Sequence, residues 1–411
     1  MTSADEVPTT GVWLVGARGS VAVTAMAGAA ALRAGLAEPV GCVTATPQFA
    51  AAGLPDYADL VFGGHDVSNV SVLKQAAELA ADGVIPAALL EAVADELRAA
   101  DAEIRTVPAR ADDRRSARQR INGLIADIED FRDTRRLRRV VVINVASTEP
   151  PIAGRACHER LADLESALDR DEAALPPSSE YAYAAMRAGC PYVDFTPSTG
   201  ARLPALDELA RSVGVPYAGS DAKTGETLLV SALAPMFTAR ALRVRSWSGT
   251  NLLGGGDGAT LADAGAAESK TVSKRRGLDR LLGGPVEGRT HIDNVPVQGG
   301  WKTAWDHVGF EGFLGVGMTM QVTWQGCDSA LAAPLVLDLA RLLARAHESG
   351  EAGAFVPGAF FFKDPVPAHP GEAVEYRLAS QYDALVSWAA AATSAATATG
   401  TASAAGSVAG S

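Results

Sequence analysis

GVWLVGARGSVA, residues 11–22, opens as a compact apolar run and breaks at a glycine-bounded turn. The run has the length and composition of a buried strand. Beyond the turn, RGSVAVTAMAGAAALRAG fits a helix closed by Gly35. A strand, a tight turn and a helix in this order bring backbone N–H groups and a helix N-terminus toward a pyrophosphate. Gly16, Ala17, Arg18, Gly19, Ser20 and Val21 are therefore candidate dinucleotide contacts. Only Gly16 and Gly19 match the G-x-G-x-x-G pattern, so a plain tight turn is the rival reading. PVGCVTAT, residues 39–46, reads as the second strand, and no acidic residue ends it, so the turn leaves NAD and NADP undistinguished.

Outward from this unit the same alternation recurs. Residues 86–138 read as two or more helices. RRVVVINVAST carries the strongest strand signal in the chain, with β-branched residues through 140–146. EYAYAAMRAG and CPYVDFTPS, then LPALDELARSVG and VPYAGSD, repeat the helix-then-strand order. Alternation of this kind predicts an α/β fold, a Rossmann-like doubly wound parallel sheet. Near residue 228 the pattern changes to glycine, tryptophan and alternating segments such as MTMQVTW, which predicts a smaller inserted α+β domain. The expected layout is a nucleotide-binding domain over 1–227, a catalytic and oligomerisation domain over 228–329, and a return to the first domain over 330–387. From residue 388 the chain is almost all Ala, Thr, Ser and Gly, a composition that predicts a disordered tail over 388–411.

The formal net charge of −12 argues against a nucleic-acid binder. No apolar run approaches the ~18–20 residues of a spanning helix, and the acidic start MTSADEVPTTG is the reverse of a secretory signal. Cys42, Cys157, Cys190 and Cys327 show no C-x-x-C spacing and read as reduced thiols in a cytoplasmic protein.

Of the 36 basic residues only six are lysine: Lys74, Lys223, Lys270, Lys274, Lys302 and Lys363. In a chain that uses arginine for its surface, retained lysines point to chemistry. An ammonium is compact and its pKa falls readily when buried or crowded, which suits it to a developing alkoxide or enolate. Lys270 and Lys274 in ESKTVSK stand four apart, Lys302 lies among tryptophans in GGWKTAWD, and Lys363 follows three aromatics in FFFKDP. Lys74, in VLKQAAELA, reads as a surface residue. GSDAKTGET places Asp221, Lys223 and Thr224 in a loop ahead of a helix, a geometry suited to an anion on the helix N-terminus. Lys223, Gly225, Glu226 and Thr227 are assigned to substrate, and Thr224 to cofactor. Asp66 in FGGHDVSNVS and Asn144, Ser147 and Thr148 in NVASTEP either bond ribose and phosphate or cap turns. His65 reads as structural. Asp257 in GGGDG and Asp328 in CDSALAAPL are acidic candidates whose rival readings are a plain turn and a helix cap.

Together these blocks, in order from residue 11 to about 366, resemble the myo-inositol phosphate synthases, particularly the archaeal-like branch. The resemblance rests on GVWLVGARGSVA, GGHDVS, NVASTEP, AGSDAKTGET, GGGDG, ESKTVSK, GGWKTAWDHVGFEGFLG, TWQGCDSALAAPLVLDL and FFKDP. It implies glucose 6-phosphate as substrate, an inositol monophosphate as product, catalytic NAD and a homotetramer formed through the central domain. It also implies that Lys270, Lys274, Lys302 and Lys363, with Asp221, Asp257 and Asp328, line the site. Oxidation at C5, enolisation, an intramolecular aldol closure and re-reduction would each place negative charge on oxygen. On this reading Lys274 and Lys363 serve the C5 oxygen, and Lys270 and Lys302 the C1 oxygen and phosphate. Asp221 and Asp328 hold lysines, and Asp257 positions a lysine or a cation. A monovalent or divalent cation requirement and any metal ligands stay open. Gly255 and Gly256 before the DG turn, Gly300 before the WK pair, and His65 in place of a tryptophan depart from the family pattern. They keep open a second sugar, such as fructose 6-phosphate closing to a five-membered cyclitol phosphate. A plain dehydrogenase and a non-catalytic nucleotide-binding protein are the other classes to exclude.

Overall fold

The computed structural model describes residues 10–170, 172–254 and 277–406, with side chains described as far as residue 393. Asp257, Lys270 and Lys274 lie outside the described residues. The first apolar run is β1 (Thr10–Val15), and α1 (Ser20–Arg33) follows it as the composition requires. Five further parallel strands are β2 (Leu60–Asp66), β3 (Ile104–Thr106), β4 (Arg139–Asn144), β5 (Tyr192–Asp194) and β6 (Pro216–Gly219). They pair in the order β3-β2-β1-β4-β5-β6, and a short strand late in the chain, Gly353–Ala354, joins the β6 edge. This is the doubly wound order, with its switch point between β1 and β4.

Both faces of the sheet are covered, and the strand period of two decides which residue serves which face. Val12 and Leu14 of β1 join a core with α1, while Trp13 and Val15 join a second core on the opposite face with α4 (Ala117–Thr134). α2 (Val72–Ala81) and α3 (Ala87–Asp101) lie on the α1 side, and α5 (Leu161–Asp169), α6 (Pro177–Arg187) and α7 (Pro204–Val213) on the other.

After β6 the chain runs through α8 (Glu226–Ala239) into a second, mixed sheet. Its strands are β7 (Arg243–Leu253), β8 (Thr290–Asn294), β9 (Trp301–Glu311) and β10 (Gly317–Cys327), in the order β10-β9-β7-β8. β7, β9 and β10 pair antiparallel, and β8 pairs parallel with β7. Ala234 and Phe237 of α8 pack on Trp247 and Val308 of this sheet. The chain then returns through α9 (Asp328–Glu348), whose Val336, Leu339 and Leu343 are buried in the first core, and reaches the edge strand β11 (Gly353–Ala354).

Two expectations need correction. PVGCVTAT is not a strand; residues 43–45 and 47–49 form 3-10 turns, and the second strand is LVFGGHD. The cause is remote in sequence. Asp338 of α9 accepts the N–H of Val43 at 2.7 Å and of Thr44 at 3.2 Å, together with the Thr44 hydroxyl. Arg341 donates to the Thr44 hydroxyl at 2.6 Å and lies over the Tyr57 ring at 4.1 Å. With its N–H groups held by a carboxylate, the segment has no need of a sheet partner. An acidic residue, Asp66, therefore does end the second strand.

The second correction concerns the tail, which begins inside α10 (Leu378–Gly406). Leu385, Ala389 and Ala392 are buried, Trp388 packs edge-on against Phe355 at 5.1 Å, and Arg345 donates to the Ala392 carbonyl at 3.0 Å. Alanine has the highest helix propensity, so an alanine-rich end extends a helix that is already docked.

Asp338 is fully buried, and burial pushes its carboxyl up to about 6 against the pull of its hydrogen bonds from Thr44 and Val43. Replacing Asp338 with Ala leaves two N–H groups without their acceptor and removes the negative charge that stands near the buried Arg341. The variant is expected to lose about 3–5 kcal/mol of stability, the usual loss on breaking a buried charged contact, as measured by urea unfolding.

Candidate active site

A cavity of about 460 Å³ opens at the carboxyl ends of β1 and β4, where a doubly wound sheet binds nucleotides. The turn between β1 and α1 forms its floor. Gly16 has a φ of +84°, and a Cβ there would meet the Cα of Ala146 at 2.7 Å. Only glycine allows the β1 turn and the β4 loop to approach this closely.

Within the turn the N–H groups divide. Those of Gly16 and Ala17 donate to the His65 carbonyl at 2.9 and 3.1 Å, and that of Arg18 to Asp66 at 2.7 Å. The Arg18 guanidinium turns to Asp101, the Ser68 carbonyl and Thr106. α1 begins at Ser20 after an N-cap, Gly19, that offers no side chain to its first N–H groups. An uncapped helix start of this kind fits a phosphate.

The other cofactor candidates lie around the crevice in unequal roles. Asp66 lines it while accepting N–H groups of Arg18 and Ser68, both at 2.7 Å. Asn144 lines it too, but shapes the β4 loop by accepting the Ala146 N–H at 3.2 Å. Ser147 is exposed at the rim, next to Thr148. His65 is fully buried, donor or acceptor to Asp127 at 3.0 Å, and burial lowers its pKa.

Two acids missing from the sequence reading stand at this edge. Glu149 accepts the N–H and hydroxyl of Ser178 at 2.8 and 2.6 Å, and burial raises its pKa. Asp194 is buried, which pushes it up to about 7, although the hydroxyl and N–H of Thr196 bond to it at 2.8 and 3.1 Å. The signal available for Asp194 was its place at the end of β5, in YVDFT.

The lysine loop follows β6. Residues 219–223 pair with 361–366: Ser220 and Asp364 exchange N–H to carbonyl bonds at 3.0 and 3.2 Å, Lys363 N–H reaches the Asp221 carbonyl at 2.7 Å, and Lys223 N–H reaches that of Phe361 at 2.8 Å. This pairing sets the Lys363 ammonium on the Asp221 carboxylate at 2.7 Å. From the second sheet, Lys302 of β9 donates to Asp328 at 2.7 Å, and Thr224 donates to the same oxygen at 2.9 Å. Burial acts against the Asp328 charge, but Lys302, Lys363 and Thr224 outweigh it and hold the carboxyl far below the usual range. Thr224, assigned to cofactor from the sequence, thus bonds to Asp328. Gly225 is the N-cap of α8, and a Cβ on it would lie 3.4 Å from Cε of Lys302 and 3.1 Å from Nε1 of Trp324.

The remaining candidates are close by. Glu226, buried at the start of α8, turns its carboxylate toward Gly249, where Asp306 also lies. Thr227 shares a small cavity with Lys223 and Lys363. Lys74 is exposed on α2. Among the described residues there is no group of three or more His, Cys, Asp or Glu able to hold a metal ion, and no helix long and apolar enough to cross a membrane.

Residues 10–389 match the family model described as myo-inositol-1-phosphate synthase. This chain belongs to that family. Inositol-3-phosphate synthase 1 of Bacteroides thetaiotaomicron is 35% identical over 393 residues, covering 87% of this chain and 89% of its own length. The Spirodela polyrhiza inositol-3-phosphate synthase is 32% identical over 55% of this chain and 46% of its own. The synthase fold is shared as well. A solved inositol-3-phosphate synthase from Caenorhabditis elegans superposes with a TM-score of 0.83 over 94% of this chain and 86% of its own, at 22% identity. A myo-inositol-1-phosphate synthase-related protein from Thermotoga maritima gives 0.76 over 93% and 98%, also at 22% identity.

Gly16→Ala places a side chain in left-handed backbone, which costs about 1–2 kcal/mol, and drives it into Ala146. The variant is expected to bind NAD at least about tenfold more weakly, a loss of roughly 1.4 kcal/mol, in a fluorescence titration, with the loop that follows β6 undisturbed.

Proposed function

We propose that this protein converts D-glucose 6-phosphate to a myo-inositol phosphate, acting as an intramolecular isomerase with catalytic NAD. The observation that carries the reading is the pair of ammonium–carboxylate contacts, Lys302 with Asp328 and Lys363 with Asp221, gathered at the loop that opens α8. The name shared by the matched proteins favours glucose 6-phosphate over fructose 6-phosphate.

The crevice fits a dinucleotide, because α1 starts uncapped and Gly16 lets the β4 loop close against the turn. Gly19, Ser20 and Val21 would hold its phosphates, with Asp66, Ser147 and Thr148 at the rim. When bound, NAD supplies a hydride acceptor that returns the hydride within the same turnover.

The chain's own part is electrostatic. Cyclisation of an aldose phosphate needs negative charge on the C5 oxygen, on an enolate and on the C1 oxygen. Cations fixed in a half-buried pocket stabilise that charge without reorganising. The Lys302 and Lys363 side chains are 14% and 13% exposed and each is anchored by a carboxylate. Lys363 is assigned to the C5 oxygen, and Lys302 to the C1 oxygen and phosphate end. Lys274 and Lys270 are proposed to join them respectively, with Asp257 positioning a lysine or a cation. The N–H groups of Glu226 and Thr227, in the first turn of α8, are assigned to the phosphate. A homotetramer in the cytoplasm is proposed as the working form.

Incubation with glucose 6-phosphate and trace NAD is expected to give a non-reducing phosphate ester without accumulation of NADH. Lys302→Met and Lys363→Met are each expected to lower kcat by roughly 10²–10³-fold while NAD affinity stays unchanged. Stoichiometric NADH would indicate a plain dehydrogenase, and turnover within a few-fold of wild type in both variants would falsify the lysine assignment.

A further inference from the structure

Lys223 differs from the other two described site lysines in what surrounds its nitrogen. It is 5% exposed, and its Nζ donates to Oε1 of Gln381 at 2.7 Å. Gln381 is itself 2% exposed and gives its Nε2 to the Glu375 carbonyl at 2.7 Å. That second bond fixes the amide, because only the NH₂ end can serve a carbonyl, so the oxygen must face the lysine. An ammonium has three N–H groups to satisfy. Here it meets one neutral acceptor, whereas Lys302 and Lys363 each meet a carboxylate. Burial alone, with no carboxylate contributing, brings the Lys223 pKa down to about 7.

Among the described residues, the charged and titratable groups around Lys223 are engaged elsewhere. Asp221, two residues earlier, faces Lys363. The Glu375 carboxylate bonds Arg377, and Asp364 pairs with Arg202. Glu226 points toward Gly249, and Lys363 and Tyr376 line the same small cavity as Lys223 and Thr227. Thr227 belongs to the first turn of α8, the place assigned above to the sugar's phosphate. The lysine therefore stands beside the position of an incoming dianion, with hydrogen-bonding capacity unused by its own fold.

We propose that Lys223 is the group through which the site takes up a proton on binding. At pH 8, where it is mostly uncharged while the loop is empty, it receives a proton from solvent when the dianionic phosphate arrives, and Gln381 is the positioning residue that holds it for the exchange. The inference rests on the reading of a sugar phosphate as substrate. No covalent bond changes; the nitrogen lone pair accepts the proton and the dianion's field retains it. The sign follows from linkage. Binding that takes up a proton weakens as pH rises, here from the free-site value near 7 up to that of the occupied site. Below that window Lys223 is already charged and its contribution to the pH dependence disappears.

The test is calorimetric titration of the NAD-loaded, full-length protein with glucitol 6-phosphate, which lacks the aldehyde and closes no ring. It is run at pH 8 in two buffers of different ionisation enthalpy. At that pH the free phosphate is fully dianionic, its second pKa being about 6, so any uptake belongs to the protein. Wild type is expected to take up roughly half a proton or more per site, with affinity falling by up to about tenfold per pH unit above 7. Lys223→Met is expected to abolish the uptake. Gln381→Glu supplies a carboxylate that charges the lysine beforehand, and is also expected to abolish uptake at pH 8 while binding persists; a purely structural strut would not give that result. Binding without uptake in wild type, or equal uptake in Lys223→Met, overturns the proposal and leaves the substrate reading intact. Absence of binding by both glucitol and glucose 6-phosphate overturns the two together.

Discussion

The site depends on a backbone pairing between segments about 140 residues apart. Residues 219–223, leaving β6, and residues 361–366, following β11, exchange N–H to carbonyl bonds as a short irregular ladder. Asp221 stands within it at a φ of +61°, a left-handed conformation that costs a residue with a Cβ of the order of 1 kcal/mol. The ladder sustains it, since the Asp221 N–H goes to the Thr196 carbonyl and its own carbonyl accepts from Lys363. The result is that one carboxylate from the middle of the chain meets one ammonium from nearer its end, directly ahead of an uncapped helix. The second sheet completes the arrangement from the other side, because the β9–β10 register sets Lys302 opposite Gly326 and so next to Asp328 at the start of α9.

Around that centre the two kinds of basic residue perform different work. Arginines act as fixed clamps. Arg120 bonds Glu180 in a buried pair, Arg341 ties α9 to the loop after α1, Arg345 reaches Ala52 and α10, and Arg18 joins the first turn to the edge of the sheet. Planar forks with several donors suit that task. Lys302 and Lys363 stand instead where a single compact charge faces the loop ahead of α8. The segregation that was visible as a count in the sequence is, in the fold, a division between scaffold and site.

How much could be read in advance follows from the range of the interactions concerned. β1, its turn and α1 are encoded locally, by an apolar run, two glycines and alanines, and so were legible. Lys302 and Lys363 stood out because their neighbours are aromatic and the chain rarely uses lysine. PVGCVTAT misled because its β-branched residues favour a strand, and the carboxylate that prevents one is Asp338, 295 residues from Val43. The same error concealed Asp66 as the acid that ends the second strand. Gln381 could not be singled out, since nothing in ASQYDAL shows that its amide meets a buried lysine. Nor does the sequence show that the Thr224 hydroxyl bonds to Asp328, since that rests on which way one hydroxyl points.

The carboxylate partners of Lys302 and Lys363 bear on a hazard of sugar chemistry. Open-chain aldoses condense with free amines through the nitrogen lone pair, forming imines. A nitrogen held as a cation on Asp328 or Asp221 has no lone pair to offer. On the proposed function, the ion pairs would let an aldose carbonyl be held among amino groups without glycation of the protein.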